Sequence, residues 1–315
     1  MKLDRAYPVA ALHDYVRCFE QREADIHGAA VVYSIAARPD QIMEFYLQQP
    51  YVVRDCVSGS QDVAPRAVVV GPCTHRHIEL VLYGRFLVFT VHFRASGFHR
   101  LFRAPMHELV DSAYDAQSVI GNSMLGIKQR LAQAAEFRER VRAATAFLLQ
   151  RLTARPSFDP VAMIANQFPV GGALRVGDAA VRAGLSIRQF ERRFAEHVGL
   201  SPKLYASIVR FNVALQAKTT APQRLWTDIA QEAGYYDQMH MVRDFARFAG
   251  ESPSIFATQF RKTQENWARC RVLTIADDQT IVTFAKPLAL EGRDSWQLLA
   301  LPNRRIGRAD GPECS

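Results

Sequence analysis

Cysteine is sparse and unpatterned here: Cys18, Cys56, Cys73, Cys270 and Cys314 are odd in number, far apart and never spaced C-x-x-C. That spacing gives no disulfide framework and points to a reducing compartment. Long apolar runs are also missing. None approaches the ~18 residues of a membrane span, so no membrane partner is expected. The start, Met1-Lys2-Leu3-Asp4-Arg5, has no apolar core of a signal peptide, and a cytoplasmic location is expected. The chain lacks a nucleophile elbow, a phosphate loop and an H-E-x-x-H pair, which removes the commonest signatures of enzymes. Acidic excess is absent as well: the formal net charge is +8 over 315 residues. Residues 171–270 hold 14 lysines and arginines against nine acids, so most of that excess sits in under a third of the chain. Such a concentration suits a phosphate-bearing partner.

What is present is a duplication. The first copy reads Asp178-Ala179-Ala180-Val181-Arg182-Ala183-Gly184-Leu185, then Arg192-Arg193-Phe194, then Gly199-Leu200-Ser201-Pro202. The second reads Asp228-Ile229-Ala230-Gln231-Glu232-Ala233-Gly234-Tyr235, then Arg243-Asp244-Phe245, then Gly250-Glu251-Ser252-Pro253. Two copies are too few for a solenoid, and each reads as a helix-turn-helix. Gly184 and Gly234 stand where a left-handed cap ends a first helix. Ser186 and Asp237 are N-caps for the second. In the first unit Ile187, Phe190, Phe194 and Val198 share an apolar face, with Arg188, Gln189, Arg192 and Glu196 opposite. In the second, Met241, Phe245 and Phe248 face inward, while Gln238, Met239, Arg243 and Arg247 face outward.

Val176 to Phe260 resembles the DNA-binding domain of the AraC/XylS family of transcription regulators. The match rests above all on Gly234-Tyr235-Tyr236-Asp237-Gln238-x-His240-x-x-Arg243-Asp244-Phe245 and Gly250-x-Ser252-Pro253. Arg210-Phe211-Asn212-x-Ala214-Leu215 stands in the family's joining helix, here Pro202 to about Lys218. The resemblance implies two recognition helices entering successive major grooves roughly 34 Å apart. Arg188 and Arg192 are the expected base readers of the first unit, flanked by Gln189 and Glu191, because arginine reads guanine bidentately. Gln238, Met239 and Arg243 take that role in the second, with His240 flanking. Met239 departs from the usual small or polar residue, so its contact would be apolar. Arg193, Lys203 and Arg247 would hold phosphates. The expected partners are double-stranded DNA and RNA polymerase, with a small-molecule effector and a homodimer also in view. An activator is one expectation, with repression equally open on the sequence.

Tyr7 to about Gly97 has the texture of short strands. Val31–Ile35, Ile42–Leu47, Tyr51–Val53 and Ala67–Val70 alternate with turn residues, and Ile78–Tyr83, Gly84-Arg85 and Phe86–Phe93 read as a tight hairpin. Residues alone suggest a sandwich or small barrel. The resemblance implies a cupin-like β-barrel acting as a sensor. Leu12, Val16 and Phe19 suggest an early helix within 11–20. Ile127, Leu131, Ala134, Phe137, Val141, Ala144 and Leu148 recur at helical spacing, predicting one long helix from Met124 to about Leu152. It is read as a core-packing helix that could also serve dimerisation. The fold class expected is α+β multidomain: 1–152 a cupin-like sensor with its helix, 153–172 a linker, 173–265 the double helix-turn-helix, and 266–315 an extension. Thr280–Phe284 is a strand candidate within that extension.

One rival site stands apart. Cys73, His75, His77 and Glu79 alternate, so on a strand they would share a face, with His92 as a converging ligand, and their types suit zinc or iron. A metal-dependent cupin-type enzyme with an appended helical domain is therefore the alternative to the transcription regulator. The expectation is no metal, no cofactor and no catalytic residue.

Overall fold

The computed structural model describes residues 2–152, 159–167, 175–266, 272–276 and 280–283. Its N-terminal part is a ten-stranded sheet and its C-terminal part is helical. Strand β1 (Lys2–Ala6) pairs antiparallel with β2 (Val16–Ser34), and β2 pairs with β7 (Ile78–Phe93) from Val16↔Phe93 to Ser34↔Glu79. β3 (Gln41–Tyr46) lies on the second half of β7 and β4 (Val52–Asp55) on its first half. β5 (Gln61–Val63) extends β4, while β6 (Ala67–Val70) and β8 (Ala113–Asp115) follow β3. At the other end β9 (Val272–Ala276) runs parallel to β1 and pairs with β10 (Thr280–Thr283). The ladder is a path from β10 to β8, with no pairing between those two ends among the described residues.

Three sequence expectations change here. The hairpin at Gly84-Arg85 does not form, because β7 runs straight through it. Gly84 is left-handed (φ +64°), and β2 slips register between Ile26 and Val31 opposite it. The glycine therefore lets two long strands bend together rather than reverse. The early helix shrinks to a 3-10 turn at Ala10–Leu12, and β2 begins at Val16. Helical periodicity misled because the polar residues from Arg17 to Arg22 do not face water. Arg17 pairs with Asp40 at 3.1 Å, Glu20 with Arg5 at 2.6 Å, and Arg22 with Glu44 at 2.5 Å, all inside the fold. The single long helix is two: α3 (Ser123–Gln133) and α4 (Phe137–Leu149), broken by extended Ala134 and a capping box of Glu136 with Glu139. Both pack inward through Met124, Ile127, Leu131, Phe137 and Leu148 against Phe19, Phe45 and Phe89 of the sheet. Short α1 (Gly97–Phe102) and α2 (Ala116–Ile120) border that core.

The stretch read as a linker contains α5 (Pro160–Asn166), started by Asp159 accepting from the Val161 amide at 3.0 Å. The helical domain follows as α6 (Val176–Arg182), α7 (Ile187–Val198), α8 (Pro202–Thr220), α9 (Trp226–Glu232), α10 (Gln238–Ala249) and α11 (Pro253–Asn266). Phe190, Phe194, Phe211, Phe245 and Phe248 are fully buried in its centre. This core is continuous with Tyr33, Ile35 and Ala37 of the sheet domain, so the two parts share one apolar body. No helix among the described residues is long and apolar enough to cross a membrane.

Candidate nucleic-acid interface

Each helix-turn-helix closes by the same local chemistry. Gly184 and Gly234 take φ of +66° and +81°, reversing the chain after α6 and α9. The Ser186 hydroxyl accepts from the Gln189 amide, and Asp237 accepts from the His240 amide at 2.6 Å. These caps satisfy amides left open at the starts of α7 and α10. The inner faces hold Phe190, Phe194 and Val198 in α7, and Met241, Phe245 and Phe248 in α10. Ile187, expected inside, is half exposed at 53% and belongs to the outer face.

The outer faces carry the charge. Arg188, Gln189, Arg192 and Arg193 on α7 are exposed, as is Lys203 near the start of α8. On α10, Gln238, Met239, Arg243 and Arg247 are exposed and His240 is half-buried, its ring edge-on to Tyr235 at 5.3 Å. The structure thus groups the expected residues on two solvent-facing helices. Gln189 differs in one respect: its Oε1 accepts from both the amide and the hydroxyl of Ser186, at 3.1 Å each. Its side chain, though exposed, is occupied with capping. In the second unit, burial raises the Asp244 carboxyl above its ordinary range against the opposing pull of His240 and Arg210. Arg210 also lies 5.3 Å over the Tyr235 ring, tying α8 to the turn of the second unit.

The opposite ends of α7 and α10 are held by the sheet domain. The Ala37 amide donates to the Phe248 carbonyl at 2.9 Å, in the last turn of α10. Gln41 Nε2 lies 3.3 Å from the Val198 carbonyl and 3.4 Å from that of His197, in the last turn of α7. Asn212 on α8 donates to the Ala37 carbonyl at 3.1 Å. Carbonyls at a helix C-terminus lack intrahelical partners, so one short segment, residues 37–41, caps both units. Nearby, His99 stacks on His197 with ring centroids 4.2 Å apart, and His197 meets Asp159 at 3.0 Å. Burial lowers His99, the Ala104 carbonyl opposes that, and His197 reinforces it. Asp159 is raised by burial but pulled down further by His197 and by the amides of Ala162 and Val161. Sequence reasoning missed Ala37, Gln41 and Asp159, since nothing local marks a residue as the cap of a distant helix.

The sheet domain carries an open cavity of about 270 Å³ lined by Ile35, Arg38, Val53, Val68 and Leu80, among others. Arg38 is 8% exposed, and its Nε has no hydrogen-bond partner among the described residues. The expected cluster of Cys73, His75, His77 and Glu79 is divided. Glu79 is bound by Arg54 at 3.0 Å, Arg76 and Ser34, and His92 is buried against Arg17 at 2.9 Å. Neither joins Cys73 and His77, which meet Asp111 instead.

Comparison with known proteins divides the chain in the same way. A helix-turn-helix domain family matches residues 179–259, and a domain of unknown function, DUF6597, matches residues 4–115. The HTH-type transcriptional regulator Rv1931c of Mycobacterium tuberculosis is 32% identical over 110 residues, which is 35% of this chain and 40% of that protein. The chain therefore spans well under half the length of that curated relative. Crystal structures of ToxT from Vibrio cholerae align at 8–9% identity, over 76% of this chain and 97–98% of ToxT, with TM-scores of 0.41 and 0.42. The duplicated motif, its capped and buried geometry and the matching domain family agree: residues 179–259 are a helix-turn-helix domain, of the kind that the AraC/XylS resemblance implies.

Proposed function

We propose that the protein is a sequence-specific DNA-binding transcription regulator whose two recognition helices read adjacent turns of one duplex face. The observation that carries this reading is the polarity of α7 and α10. Their N-terminal halves offer arginine, glutamine and methionine to solvent, while their C-terminal ends are docked on the sheet domain. Arg188, Arg192, Gln238, Met239 and Arg243 are the base readers in this proposal, and Arg193, Lys203 and Arg247 the phosphate contacts. Gln189 contributes through its cap, and His240 flanks. The sheet domain would act as sensor, its cavity receiving an effector. Residues 37–41 would pass the effector's influence to both units, since Arg38 lines the cavity while its neighbour Ala37 holds α10. RNA polymerase and a second copy of the chain are further partners in this reading.

Selection of fragments from sheared genomic DNA by the full-length protein tests it. The expected fragments share two short motifs centred about one helical turn, 10–10.5 base pairs, apart. Fragments with no common sequence would overturn the proposal.

A further inference from the structure

We propose that Cys73, His77 and Asp111 form a binding site for a divalent transition metal of the zinc class. The three side chains come from the loop between β6 and β7 and the loop before β8, at the edge of the sheet-domain cavity. Their ligand atoms all lie within 4.8 Å of one another. Cys73 Sγ stands 3.7 Å from His77 Nδ1. Two tetrahedral zinc ligands with bonds of about 2.3 Å (sulfur) and 2.0 Å (nitrogen) are about 3.5 Å apart, so the pair is nearly spaced for a shared ion.

Several features hold the ligands ready. Asp111 has a left-handed backbone (φ +53°), uncommon outside glycine, and its amide is fixed to the Pro72 carbonyl at 2.8 Å. Thr74 orients its carboxylate from both sides, the amide donating to Oδ1 and the hydroxyl to Oδ2, at 2.6 Å each. That is the outer-shell support expected around a ligating carboxylate. Cys73 is buried and its backbone is paired with Arg38 in both directions at 2.8 Å. The Cys73 thiol and His77 Nδ1 both lie 3.0 Å from the His75 carbonyl oxygen, and both give up that contact when they ligate. His75 itself has Nδ1 3.7 Å from Asp111 Oδ2 and its ring 4.8 Å from that of His77, within reach of a fourth position. Thiolate, imidazole and carboxylate together favour zinc or cobalt over calcium or magnesium. Ligation displaces the thiol proton, leaving Cys73 as the anionic ligand. The site needs no DNA, so it stands or falls apart from the regulatory reading.

The test is cobalt titration of the full-length protein after chelator treatment, followed in the near ultraviolet and visible. One equivalent of Co²⁺ is expected to give a sulfur-to-cobalt charge-transfer band with tetrahedral visible bands, both bleached by Zn²⁺. Cys73→Ser removes the charge-transfer band. His77→Ala and Asp111→Asn weaken binding beyond the roughly 10–100-fold loss expected of the outer-shell variant Thr74→Val. His99→Ala, in the separate group with Glu196 and His197, leaves the titration unchanged. Circular dichroism melts confirm that each variant is folded, and the folded Thr74→Val keeps the test decisive if a ligand variant is not. Absence of a saturable one-equivalent spectrum, a spectrum intact in Cys73→Ser, or loss in His99→Ala would each overturn the proposal.

Discussion

Asn212 on α8, the helix joining the two helix-turn-helix units, donates from Nδ2 to the carbonyl oxygen of Ala37 at 3.1 Å, across the boundary between the two domains. The same nitrogen reaches the Ile208 carbonyl at 2.8 Å, so one amide serves its own helix and the connection between β2 and β3 of the other domain. Replacing it with alanine leaves the Ala37 carbonyl without this donor in a buried setting. Asn212→Ala is expected to cost about 1–3 kcal/mol in denaturant unfolding. Hydrogen exchange at the Ala37 amide, bonded to Phe248, should also accelerate.

Two glycines with similar backbones should respond differently to alanine. Gly184 (φ +66°) has open space where a Cβ would stand, so its substitution costs only the left-handed strain of about 1–2 kcal/mol. Gly199 (φ +94°) would place a Cβ 2.9 Å from the Met106 carbonyl and 3.2 Å from Pro72 Cγ. Gly199→Ala should therefore be clearly the more destabilising in thermal melts, because its added methyl pushes on the sheet domain. Equal melting shifts in the two variants would contradict the docked arrangement.

The proposed base-reading and phosphate roles should separate by salt. Arg192→Ala and Arg243→Ala are expected to lose about 1–3 kcal/mol on a selected site and to relax preference at one position each. Arg193→Ala and Lys203→Ala should weaken all sequences alike and reduce the slope of log affinity against log salt by about 1. Fluorescence anisotropy across a salt series distinguishes the pairs. Unchanged affinity and preference in both Arg192→Ala and Arg243→Ala would sink the assignment.

Acid should loosen the contact between domains. His99 and the fully buried His92 both have folded values below the ordinary 6.5, led by burial in each case. Below pH 6.5 the unfolded chain therefore binds protons that the folded chain resists, and stability falls as pH falls. Asp159 acts in the same direction at lower pH: its depressed value gives stability present above 3.8 and lost as the carboxyl protonates. Denaturation midpoints should drop between pH 6.5 and 5, and His99→Phe, which keeps a ring against His197, should flatten part of that slope. His92 supplies the remainder.

The helical domain was legible in the sequence because its signals are local. Gly184, Ser186, Asp237 and the spacing of Phe190, Phe194, Phe245 and Phe248 each report on a turn or two of chain. The sheet domain was legible only in part. Arg17, Glu20 and Arg22 look like a solvent face until Asp40, Arg5 and Glu44 are placed beside them, and that pairing is non-local. Gly84 carries the signal of a turn, yet whether a left-handed glycine bends or reverses a strand depends on the partner strand opposite. The arginines of the outer helical faces could be placed from periodicity. That Gln189 spends its side chain on Ser186 could not, since a capping box and a base contact ask for the same residue type at the same position. Asp111, distant in sequence from Cys73 and His77, carried no local mark at all.

The unbroken apolar body beneath the two domains bears on how the molecule can be dissected. Leu215, Phe256 and Phe260 of the helical part face Tyr33 and Ile35 of the sheet, while the last carbonyls of α7 and α10 rest on Gln41 and Ala37. A fragment cut to the helices alone would wet that greasy underside and leave both rods without their footing. Its failure to stay in solution, or a blurred choice of sequence, would then speak of a missing floor rather than of weak fingers.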